Sequence, residues 1–98
     1  MSTRFIQADF NGLFGETLCL SHRSTAVGHD GEAVELERGL VLTAFEDDPE
    51  EDGTPGFLLA SGLVEPAPAE LQCLGSRWVL HIDARGIRRA RVLADESA

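Results

Sequence analysis

Lysine and tyrosine are missing from the 98 residues, so all eight basic side chains are arginine. Two cysteines, Cys19 and Cys73, are too few for the dense cross-linking of small secreted scaffolds. No stretch of about 18 uncharged apolar residues exists, which excludes a spanning helix. The opening residues, Met1 to Asp9, lack the apolar core of a signal peptide. The chain therefore reads as unprocessed and cytoplasmic, with Cys19 and Cys73 as reduced thiols in or near a core. At 98 residues it has room for one small domain spanning 1–98, and no room for a large multi-part catalytic assembly.

What the chain does have is acid. Seventeen Asp and Glu against eight Arg give a net charge of −9, and the excess is unevenly placed. Between Asp30 and Glu70 stand twelve acids against Arg38, a local −11. Between Arg77 and Arg91, five arginines stand against Asp83, a local +4. An acidic surface of this kind repels polyanions and speeds encounter with cationic partners.

Hydropathy alternates with period two, broken at short intervals by Gly and Asp. Ile6, Ala8 and Phe10 form one apolar row, and Leu18 and Leu20 another. The run Leu40–Phe45 is apolar and β-branched enough for a strand buried on both faces. The stretches Phe57–Ala60 and Leu63–Val64 flank Ser61-Gly62, where a bulge or bend is expected. Trp78, Leu80 and Ile82 share one face and predict core. Turn residues at His29-Asp30-Gly31 predict a hairpin. Asp83-Ala84-Arg85-Gly86 matches a type I turn followed by a left-handed residue, predicting a hairpin between Arg77–Asp83 and Ile87–Leu93. A helix fits only at Pro68–Leu74, stopped by Gly75. Residues 46–56 read as an acidic surface loop and 95–98 as a frayed end.

Six or seven short strands with at most one short helix give an all-β fold. A flat sheet would leave a whole apolar face wet, so it must curl. The predicted architecture is a small, partly open antiparallel β-barrel, SH3-like or OB-like.

Several constellations could carry chemistry. Asp48-x-Glu50-x-Asp52-Gly53 has the opening of a calcium loop, but its twelfth position is Leu59 and Pro49 interrupts it. Cys19-x-x-His22 has the form of half a zinc site that Cys73 and His81 could complete. On a regular strand, however, Cys19 and His22 face opposite sides and would converge only at a bend near Ser21. No nucleophile elbow and no phosphate-cradling glycine motif is present, so the chain reads as non-enzymatic and without a cofactor. Arg85, Arg88, Arg89 and Arg91 could engage phosphates of single-stranded nucleic acid, with Trp78 or Phe57 stacking bases. The net charge argues against that, and pairing with Glu32, Glu35 or Glu37 across strands is the simpler expectation. Leu13-Phe14, between turn signals, is the apolar pair expected to be partly exposed.

These features favour a protein–protein contact or accessory, inhibitory module that meets a basic protein partner. The candidate contact residues are Asp47, Asp48, Glu50, Glu51 and Asp52, with Leu13, Phe14, Arg88 and Arg89. A calcium- or zinc-binding β domain and a single-strand nucleic-acid binder are the alternatives, and no membrane role is expected.

Overall fold

The period-two patterning is realised as eight strands, one short helix and one 3-10 turn in a computed structural model that describes residues 4–28, 31–72 and 75–92. The strands are β1 (Arg4–Gln7), β2 (Leu13–Phe14), β3 (Thr17–Ser21), β4 (Thr25–Val27), β5 (Ala33–Glu35), β6 (Val41–Asp47), β7 (Phe57–Pro66) and β8 (Trp78–Ala90). The helix α1 covers Ala69–Gln72, inside the predicted segment. Gly75 takes a positive φ of 90° just beyond it.

Six strands form one sheet in the order β1-β6-β7-β8-β3-β2, curled into a half-barrel. Every pairing in it is antiparallel except β1 with β6, which is parallel. Strands β4 and β5 make a separate antiparallel ribbon on either side of the predicted His29-Asp30-Gly31 turn. His29 and Asp30 themselves lie outside the described residues, as do Cys73 and the 95–98 end. A bridge between Ile6 and Gly28 ties the ribbon to the edge of the sheet.

The main core lies on the inner face of the curl. Leu42, Ala44, Ala60, Val64, Leu80, Ile82, Leu18 and Ile6 are buried there, and Ala26 and Leu36 of the ribbon segment close over them. Trp78 is half-buried and packs against this cluster, so the row Trp78-Leu80-Ile82 faces the core as its alternation predicted. The outer face carries two smaller clusters. Phe5, Phe45 and Leu59 pack with Phe57 and Ala90, while Ala67 and Leu71 cover Val79. Burial on both faces explains why Leu42 to Phe45 carries no charged residue.

The predicted hairpin between Arg77–Asp83 and Ile87–Leu93 does not form. β8 runs in one direction from Trp78 to Ala90, and both its halves pair with the same partner, β7. Gly62 lies opposite Ile82 and Ala60 opposite Ile87, so Ser61 faces the four residues Asp83 to Gly86. The turn residues are used: Asp83 Oδ1 accepts from the Arg85 amide at 3.0 Å, and Gly86 has φ of 67°. They build a wide bulge instead of a reversal. Turn chemistry sets dihedral angles over four residues, whereas reversal also needs a free strand to pair with. The ten-residue β7 offers its whole length to β8 instead. The irregularity foreseen at Ser61-Gly62 is real, with its extra residues carried by β8.

Candidate functional site

The acidic segment is an ordered hairpin tip. β6 extends through Asp47, so the loop between β6 and β7 begins at Asp48, later than its acidic composition suggested. The Asp48 amide donates to the Gly56 carbonyl at 2.9 Å, Glu50 to Thr54 at 2.9 Å, and Gly53 to Glu50 at 2.9 Å. Gly56 is required by close approach: a Cβ there would lie 2.7 Å from the Asp48 carbonyl oxygen. Asp52 Oδ1 accepts from the Thr54 amide at 2.9 Å. Its side-chain and backbone hydrogen bonds to Thr54 hold the Asp52 carboxyl below the usual carboxylate range.

Arg89 reaches this tip from β8. Its Nη1 pairs with Asp48 Oδ2, and its Nη2 donates to the Asp48 carbonyl and to Glu50 Oε1, both at 3.1 Å. The expected cross-strand partners Glu32, Glu35 and Glu37 belong to the β4–β5 ribbon and its flanks, whereas Arg89 stands on β8 opposite Leu58 of β7. Arg89 is therefore an acid-loop clamp. Arg88, on the opposite face, donates Nη2 to Ser61 Oγ at 3.2 Å, and Ser61 Oγ lies 2.7 Å from Thr43 Oγ1. Arg85 pairs with Asp83 at 3.1 Å within the bulge. Partial burial pushes the Asp83 carboxyl up. The Arg85 hydrogen bonds and the charges of Arg85 and Arg88 outweigh it and leave the group below the ordinary range.

Asp47, Glu51 and Asp52 remain exposed around the clamped pair. The carboxylates of Asp48 and Glu50 meet a guanidinium in place of a shared cation centre. Among the described residues no group of three or more His, Cys, Asp or Glu is arranged to hold a metal ion. Among them, too, no helix is long and apolar enough to cross a membrane.

The chain matches no protein-family model, and no curated protein or solved structure is significantly similar to it.

Leu13 and Phe14 separate rather than forming one exposed pair. Strand geometry turns Leu13 toward the inner core, where it is half-buried, and turns Phe14 outward at 49% exposure. Phe14 ends a row that its neighbourhood in sequence does not reveal. Val41 pairs with Leu63, Leu63 with His81, His81 with Thr17, and Thr17 with Phe14. Directly paired residues project from the same face, so these five cross the outer surface as one line. Val41 and Leu63 are 62% and 44% exposed. Val41 and Leu63 were missed as surface residues because the alignment of the row depends on four separate registers.

The Cys19–His22 pair does converge. The register between β3 and β8 shifts between Cys19 and Ser21, and the chain bends there. His22 Nε2 lies 4.0 Å from Cys19 Sγ, and Ser76 Oγ lies 3.0 Å from the same sulfur. Cys19 is a free, half-buried thiol. Nearby, an open hollow of about 740 Å³ lies between Gln7–Asp9 and Thr25–Val27, with Leu20 and Ala26 in its lining.

Proposed function

We propose that the protein is a binding module that docks a basic protein partner through the acidic hairpin tip. The observation carrying this reading is the clamp. Arg89 ties down Asp48 and Glu50, so that Glu51 and Asp52 project from a loop with internal hydrogen bonds, beside Asp47 at the end of β6. A preorganised set of charges loses less conformational entropy on binding than a flexible one. The geometry gives less support to nucleic acid, because Arg85, Arg88 and Arg89 each contact groups within the molecule.

Affinity capture from cell extract, wild type beside a variant carrying Asp47→Asn, Glu51→Gln and Asp52→Asn, tests the reading. Basic proteins should be retained by the wild type, released by added salt, and bound about tenfold more weakly by the variant. Identical partner lists for the two proteins, or partners without a basic surface, would overturn it.

A further inference from the structure

Cys19, His22 and Ser76 come from three different segments: strand β3, the bend that follows it, and the loop entering β8. Each is placed by its own backbone contacts. Ser21 Oγ accepts from the Arg23 amide at 3.0 Å and donates to the Thr25 carbonyl at 2.6 Å, which fixes the bend carrying His22. Gly75 lies against the far side of the imidazole. A Cβ on it would stand 3.0 Å from Nδ1, so the ring is backed by bare main chain. Ser76 is buried, and its amide donates to the Leu71 carbonyl at 3.0 Å, anchoring its hydroxyl toward the sulfur. Beside Ser76, a cavity of about 400 Å³ is lined by Pro66, Arg77 and Trp78.

We propose that Cys19 is a site of reversible modification by anionic low-molecular-weight disulfides, with His22 as its base and Ser76 as hydrogen-bond donor to the thiolate. The thiolate is the attacking species in thiol–disulfide exchange. The Sγ proton passes to His22 Nε2, and Sγ forms a new S–S bond to one sulfur of the incoming disulfide as that disulfide's own bond breaks. The departing thiolate recovers the proton from the imidazolium. One disulfide is consumed, one is formed, and one thiol leaves, so no external oxidant or reductant is needed. The Arg77 that lines the neighbouring cavity gives the choice of an anionic reagent. A nucleophile facing a base 4.0 Å away, with a third group at 3.0 Å fixing the sulfur, is a looser form of the arrangement that activates thiols elsewhere.

The test uses the full chain with Cys73→Ser, so that Cys19 is the one thiol, and the aromatic anionic disulfide dithiobis(nitrobenzoate). At neutral pH the native protein should react about tenfold faster than the same protein unfolded in urea, the reverse of an inert half-buried cysteine. His22→Gln should remove about tenfold of the native rate, with partial recovery on adding free imidazole, while its thermal midpoint stays that of the parent. Ser76→Ala should slow the reaction severalfold. Arg77→Gln should slow it with dithiobis(nitrobenzoate) but not with uncharged hydroxyethyl disulfide. A native rate at or below the unfolded rate, or a His22→Gln rate equal to the parent, would overturn the proposal.

Discussion

Gly62 shows how much one missing side chain can decide. It sits opposite Ile82 at the edge of the bulge, and a Cβ placed on it would fall within the His81 carbonyl oxygen. Backbone cannot yield as a flexible side chain can, so β7 and β8 would have to separate at their longest pairing. Gly62→Ala is expected to destabilise the protein by about 3 kcal/mol or more, the upper end of overpacking penalties. Urea unfolding of the two proteins side by side checks this. A midpoint unchanged from wild type would mean that the strands can part there freely. At the same scale, the inward direction of Leu80 and Ile82 was readable from alternation alone. The outward direction of Phe14 was only half readable, since its separation from Leu13 depends on a two-residue strand pairing with β3.

Among the elements, β8 and the β6–β7 hairpin determine the surface. Because β8 continues past Asp83 instead of turning back, it carries Arg89 to within reach of Asp48 and Glu50. Had the chain reversed at Gly86, its last segment would have paired with its own first half and left that reach unfilled. The tip then depends on one exposed arginine. Arg89→Ala should lower stability by no more than about 1 kcal/mol, as for other exposed ion pairs. It should nonetheless raise the rate of limited proteolysis within residues 48–56 severalfold, because loop ordering and global stability are separate quantities. Equal cleavage of the two proteins would show that the hydrogen bonds among Asp48, Glu50, Thr54 and Gly56 hold the tip unaided. Most strand locations, the short helix and the acidic loop were legible from local residue patterns, whereas strand β2 at Leu13–Phe14 and the unbroken course of β8 were not. The partner of each strand was not, because pairing sums contributions from residues up to dozens of positions apart.

For the whole molecule, the sign of the charge governs the response to pH. Asp83 and Asp52 titrate below their ordinary range in the folded state. A carboxylate depressed by folding contributes stability that is fully present above its unfolded value of about 3.9 and disappears as the pH falls through its folded value. Stability measured by urea unfolding should therefore decline on acidification below about pH 4 through these two groups. Neutralising other acids relieves part of the −9 self-repulsion, an opposing effect common to any variant. The difference between wild type and Asp83→Asn isolates the Asp83 contribution: the two curves should converge at low pH and separate above it. Parallel curves would remove the Asp83–Arg85 interaction from the stability of the bulge.

Residue order by itself determined the β character, the position of the core row Trp78-Leu80-Ile82, the presence of an irregularity at Ser61-Gly62 and the acidic tip. Each of these depends on periodicity, turn chemistry or charge within a few neighbours. Tertiary structure alone decided that β8 would run on beside β7, that Arg89 would clamp Asp48 and Glu50, and that Cys19 would meet Ser76. Those outcomes depend on which distant strand is long enough to pair and on where its bulge redirects the chain, and no local stretch of residues carries that information.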